Sequence, residues 1–171
     1  CRDGRFDKAL EFYEECLKRR KEVLGDSHPA TINTLNNLAV LLSRQGEYEK
    51  AQPLHELCFH ERKEMLGLQH PDTLSSLTNV ASNLKSRGKC DQAQPLYEKE
   101  LKLRKEINGE NHPDTLKCLY NLALLYTSIG RFKEALTVAE ECYNKRKEVL
   151  GESHRDTFTV LTVVGDLHNR V

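Results

Sequence analysis

A seven-residue loop, "GDSHPAT" (25–31), returns as "GLQHPDT" (67–73), "GENHPDT" (109–115) and "GESHRDT" (151–157), each copy 42 residues after the one before. The period reaches well beyond the loop. Gly4, Gly46, Gly88 and Gly130 keep it, as do Gly25, Gly67, Gly109 and Gly151, Ala9, Ala51, Ala93 and Ala135, and Arg20, Arg62, Arg104 and Arg146. A fixed period of this size describes an array of stacked supersecondary units. One unit cannot bury its own apolar face, so neighbouring units must share a core.

Each unit reads as two helices. In "PATINTLNNLAVLLSRQG" (29–46), Leu35, Leu38, Ala39 and Leu42 recur at the i, i+3, i+4, i+7 spacing of one buried stripe. His28 or Ser27 caps the start, and Pro29 suits a first turn, where its missing N–H costs nothing. Gly46 supplies the left-handed residue that ends a helix. The second segment (48–66) sets Tyr48, Ala51, Leu54, Cys58 and Phe59 on one side before Gly67 stops it. Pro53 and Pro95 stand at equivalent places in its first two turns, where proline costs less than mid-helix. Strand alternation is missing throughout. The expected fold is all-α, a single domain of stacked antiparallel helix hairpins, each made of helix A, a glycine turn and helix B. Its frame is a partial repeat at 1–24 (1–4 the tail of a helix A, 5–24 a helix B), full repeats at 29–66, 71–108 and 113–150, and a partial repeat at 155–171. With no polar capping helix after Val171, the array is expected to continue in a longer chain.

The recurring loop is then punctuation between helix B and the next helix A. Glycine relaxes the backbone, proline sets the first turn, and Asp72, Asp114 and Asp156 suit the positive end of a helix dipole. His28, His70, His112 and His154 are expected to pack or hydrogen-bond across the loop.

Composition narrows function by exclusion. Lys plus Arg and Asp plus Glu both number 26, so no global field draws in nucleic acid or an anionic membrane. No apolar run approaches the roughly 20 residues of a membrane span. Six cysteines form no CxxC pair; Cys16, Cys58 and Cys142 share one repeat position, which suits a small core residue and a reducing, cytoplasmic setting. "HELCFHE" (55–61) nearly spells a zinc-protease motif, but His55 and His60 are five apart, about 140° around a helix, and cannot both face one metal. "KRRKE" (18–22) and its equivalents end in Glu and read as a solvated helix face with i, i+4 pairing. No phosphate loop or nucleophile–base pattern is present, so the expectation is a chain that is not an enzyme and needs no cofactor.

"LNNLAVLLSRQGEYEKAQPL" (35–54) followed by "ERKEMLGLQHPDT" (61–73) resembles the tetratricopeptide repeats of kinesin light chains and nephrocystin-3-like arrays. The common tetratricopeptide unit has 34 residues; a 42-residue unit with a long helix B is typical of this subgroup. The resemblance implies a right-handed superhelix with helices A lining a concave groove. It also implies that the Asn of the "LNNLA" motif holds a peptide backbone, a role carried here to Asn37, Asn79 and Asn121. The fourth copy departs, with Val163 in that place.

The residues support a second stripe on helix A without the resemblance. Asn33, Asn37, Val40 and Arg44 lie roughly opposite the apolar stripe; their counterparts are Ser75, Asn79, Ser82 and Ser86, then Lys117, Asn121, Leu124 and Ser128. A carboxamide both donates and accepts, so it can hold an extended main chain whatever its side chains. Helices about 8–10 Å apart would grip a strand rising about 3.3 Å per residue once every three residues or so. Arg44, Lys85 and Lys117 make the groove mildly basic and Tyr120 adds an aromatic surface. The expected function is a protein-interaction scaffold, such as a cargo adaptor, whose ligand is an acidic peptide with an aromatic anchor. The alternative is a structural or self-assembling arm of a larger signalling protein.

Overall fold

The computed structural model describes residues 3–171, and every element among them is a helix: α1 (Asp3–Leu24), α2 (Pro29–Arg44), α3 (Tyr48–Leu66), α4 (Pro71–Ser86), α5 (Cys90–Asn108), α6 (Pro113–Ser128), α7 (Phe132–Leu150) and α8 (Arg155–His168). Cys1 and Arg2, read above as part of a preceding helix A, lie outside the described residues, while Asp3 and Gly4 belong to α1. The chain forms two compact units, residues 1–89 and 90–171.

In the first unit α1 packs on α2, α2 on α3 and α3 on α4, each pair joined by a short loop. The apolar face of α2 is Ile32, Leu35, Leu38 and Ala39, all at most 6 % exposed, joined by Leu41 where periodicity pointed to Leu42, which is half-buried. Its partner α3 offers Ala51 and Cys58, both fully buried, with Leu54 packed beside them. The Cys58 thiol donates to the Ile32 carbonyl at 3.8 Å. Burial pushes that thiol up to about 12, as fits a core residue. The second unit repeats the scheme, with α6 packed on both α5 and α7 and α7 on α8. Leu116, Leu119, Leu122 and Ala123 of α6 face Ala135, Ala139 and Cys142 of α7, and the Cys142 thiol donates to the Leu116 carbonyl at 3.3 Å.

The two kinds of connection are built differently. After α2 the Gly46 N–H donates to Ser43 O and the Glu47 N–H to Leu42 O, the paired closure that needs a left-handed glycine (φ 84°). Gly67, ending α3, has φ 83° and ψ 163°, a region that only glycine visits without strain. Past it, His70 is the N-cap of α4, its Nδ1 accepting the Asp72 N–H at 3.2 Å. His28, His112 and His154 do the same for Ala30, Asp114 and Asp156. Because Pro29, Pro71 and Pro113 carry no N–H, the residue after each is the first unsatisfied donor of its helix, and the imidazole takes it. The histidines thus cap the helix that follows, His112 also meeting the Asn108 amide across the loop at 3.5 Å; His28, not Ser27, is the cap of α2. Thr31 and Thr115 add a bond back to Gly25 O and Gly109 O.

One reading fails. The arginines of the "RKE" runs are not part of a solvated face: Arg62, Arg104 and Arg146 are 9 %, 4 % and 7 % exposed. Arg62 Nη1 donates to Asp72 O and to Ser76 Oγ, so the end of α3 is tied to the first turn of α4. Arg20 makes the equivalent pair to Ala30 O and Thr34 Oγ1, and Arg146 donates to Asp156 O. Arg104 pairs instead with Asp114 and with the buried Glu100. In Arg62 one branch serves carbonyl and hydroxyl while Nη2 reaches Asn33, a spread of three acceptors that a single ammonium does not span.

Candidate functional site

In the first unit the polar stripes of α2 and α4 meet. Val40 and Arg44 from α2 and Asn79, Ser82 and Ser86 from α4 line a single depression of about 220 Å³. These five come from the two stripes that the sequence marks opposite the apolar face. Arg44 is exposed, and Asn79 and Ser82 are half-buried. The Asn79 Nδ2 donates to Asn36 Oδ1 at 3.1 Å, which fixes the orientation of its carboxamide. Asn37 is exposed on α2, and Lys85 is half-buried on α4; neither lines the depression. Asn33 is exposed but its Oδ1 accepts from Arg62 Nη2 at 2.8 Å, so it also serves the α3–α4 tie.

Ser43, Tyr48, His55 and Asn83 complete the lining and belong to a buried polar network that sequence reasoning missed. The Ser43 hydroxyl donates to Asn83 Oδ1 at 3.0 Å; Asn83 Nδ2 donates to Tyr48 O and to Gln52 Oε1. Since that hydroxyl proton is committed, His55 Nε2 donates to Ser43 Oγ (3.0 Å), and the ring is neutral with Nδ1 as its acceptor. His55 is 2 % exposed, and burial lowers it to about 4. Ser43 and His55 are therefore not a nucleophile and base: the serine proton points away from the ring, and the ring is too weak a base near neutral pH. A signal for the network existed. Asn83 stands where the other copies carry Leu41, Leu125 and Leu167, all buried, and a single amide in an apolar register demands partners. His60, the other histidine of "HELCFHE", is exposed with its ring edge-on to Phe59.

The second unit presents Lys117 (exposed), Asn121 and Leu124 (half-buried) and Ser128 (exposed) along α6. Tyr120 is half-buried with the Arg146 guanidinium carbon 5.3 Å from its ring centre, a cation–π contact that joins α6 to α7. Val163 of α8, in the place of the clamp asparagines, is half-buried. Among the described residues no three His, Cys, Asp or Glu side chains are grouped to hold a metal ion, and no helix is long and apolar enough to cross a membrane.

Comparison with known proteins agrees with this architecture. The tetratricopeptide repeat model matches residues 1–59 and 72–148. The all-α solenoid fold is shared with the nearly identical TPR-like repeats of a kinesin-light-chain-like protein from Podosopora anserina (21 % identity, TM-score 0.85), covering 99 % of this chain and 80 % of that one. It is shared too with BtubC (BKLC) of P. vanneervenii, at 23 % identity and TM-score 0.83 over 99 % of this chain and 67 % of that one. A more distant likeness joins it to MamA RS-1 (16 % identity, TM-score 0.57, 98 % and 88 % covered). No curated protein sequence matches. Successively packed helices within each unit and a family match over most of its length make this chain a member of the tetratricopeptide repeat family.

Proposed function

We propose that the chain is a protein-interaction scaffold whose helices A hold extended peptide segments of partner proteins, in the manner of a kinesin-light-chain-like cargo adaptor. The observation that carries this reading is the depression between α2 and α4, walled by Asn79, Ser82 and Ser86 on one side and by Val40 and Arg44 on the other. Small polar side chains leave room for a main chain, and Asn79, oriented by Asn36, offers amide functions to it. Asn37 stands exposed on the same stripe of α2. In the second unit Asn121 takes the equivalent part, with Lys117 and Tyr120 nearby in sequence. Arg44, Lys85 and Lys117 favour an acidic ligand, and an aromatic anchor would use the apolar surface of Val40. The hydrogen-bonded Ser43, His55 and Asn83 in its lining, tied to Gln52, favour a preformed site for a ligand.

The test uses a fluorescent acidic peptide with one central aromatic residue. The double variant Asn79→Ala, Asn121→Ala should stay helical by circular dichroism and lose most of its affinity in anisotropy titrations. Undiminished affinity in the folded double variant removes the asparagine clamp from the function.

A further inference from the structure

The depression between α2 and α4 owes part of its lining to a buried ionisable side chain, His55 of α3, which is 2 % exposed. Its Nε2–H is committed to Ser43 Oγ, and its Nδ1 is buried with no hydrogen-bond partner. A neutral ring tolerates that arrangement, since a bare acceptor costs far less than a bare charge. A second proton, taken from solvent, has only Nδ1 to occupy. It would make a buried N–H with nothing to accept it and a positive charge with no counter-ion.

The helices packed against α3 offer the ring no relief. Arg44 is the one charged side chain of α2, and it lines the same depression. On α4, Asp72 stands in the first turn and Lys85 in the last, neither in the lining, and Arg87 at the C-cap pairs with Glu49. Helix α3 itself adds the Tyr48 phenol to the lining. Glu56, beside His55 in sequence, accepts from Gln52 Nε2 at 2.7 Å, and the Cys58 thiol is turned to Ile32 O. No carboxylate lines the depression, and its one charged member, Arg44, has the sign that the ring would acquire. Burial accordingly lowers the ring to about 4.

The fold does not need the histidine. In the second unit the same repeat positions hold Thr127, Ala139 and Leu167 in place of Ser43, His55 and Asn83, and Ala139 and Leu167 are 0 % and 1 % exposed. Apolar packing serves one unit where the other carries an imidazole, and a local rule broken in one copy alone points to function.

We propose that His55 is a proton gate on this depression: the neutral ring keeps the lining in shape and a ligand held, whereas protonation drives the ring out of the lining and releases the ligand. More than one residue moves. Ser43 loses its donor and is free to turn, which loosens the bond that orients the Asn83 amide. Ser43 and Asn83 both line the depression, so its α2 wall and its α4 wall change together. The gate rests on the reading of this depression as a peptide site. Its equivalent is missing from the second unit, where Ala139 cannot titrate.

Anisotropy titrations with the fluorescent acidic peptide test the release, run on the wild type and on His55→Gln from neutral pH down to about pH 4. Glutamine keeps a donor for Ser43 and takes up no proton. The two proteins should bind alike at neutral pH. On acidification the wild type should weaken more than the variant, approaching about tenfold for each pH unit below the titration of the ring. Both meet the same peptide carboxylates, so the difference between the profiles belongs to His55. Parallel profiles, or a wild type that tightens in acid, overturn the gate. Two-dimensional NMR of the free wild-type chain needs neither ligand nor variant. The Asn83 side-chain amide should shift in step with the His55 ring while circular dichroism stays helical; an amide that stays put as the ring titrates overturns the gate. If neither protein binds the peptide at neutral pH, the peptide reading fails, and the NMR titration alone decides whether His55 reshapes the depression.

Discussion

Arg62 on α3 and Asn33 on α2 are joined by a 2.8 Å hydrogen bond from Nη2 to Oδ1, while Nη1 of the same guanidinium reaches Asp72 O and Ser76 Oγ on α4. One side chain thus ties two successive helices A to the helix B between them. The stacking direction of the first unit is held by a polar fork at the helix ends as well as by the apolar core.

Replacing Arg62 by Lys keeps the charge and loses the fork. One ammonium cannot reach Asn33, Ser76 and the Asp72 carbonyl together, so a buried acceptor loses its donor. The expected loss is about 1.5–3 kcal/mol in urea denaturation. A midpoint unchanged from wild type would show that the fork is incidental to stability.

The histidine caps predict a cheap and selective pair of variants. His112→Ala removes the acceptor for the Asp114 N–H and should cost about 1 kcal/mol. His112→Asn restores an acceptor at the cap and should come within a few tenths of wild type. Equal losses in both would mean that the ring acts by packing.

Two glycines should respond differently to asparagine. Neither meets any atom within 4 Å of an added Cβ, so only backbone conformation matters. Gly46 occupies the left-handed position of a helix-end closure, which asparagine tolerates. Gly67 combines φ 83° with ψ 163°, which asparagine does not. Gly67→Asn should therefore cost about 1–3 kcal/mol, and Gly46→Asn clearly less, in matched thermal melts.

Acid should expose His55. The folded ring titrates near 4 and an unfolded histidine near 6.5, so the unfolded chain takes up the proton first as pH falls. The contribution of this residue is full above pH 6.5, declines between 6.5 and 4, and is lost below, a change of roughly 3 kcal/mol. His55→Gln should flatten that part of the stability profile. Parallel wild-type and variant profiles over this window would contradict the buried neutral ring.

Reading the amino-acid order alone went furthest where local chemistry repeats. The 42-residue period, the Gly–His–Pro loop and the apolar i, i+3, i+4, i+7 spacing point to the helices found among the described residues, because each copy reinforces the others. The helix A tail read at 1–4 fails for Asp3 and Gly4, which belong to α1. The polar stripe containing Asn79, Ser82 and Ser86 followed from the same helical geometry. Tertiary structure decided whatever depends on a partner many residues away. The arginines of the "RKE" runs look solvated beside their own glutamates, yet they are buried, since the next helix A brings carbonyl and hydroxyl acceptors to them. The histidines became caps because each ring accepts the N–H two residues on, across proline in three copies and across Arg155 in the fourth. Ser43, His55 and Asn83 form a network only because three helices meet there; a linear pattern carries the identity of such groups but not the distances that make them one unit.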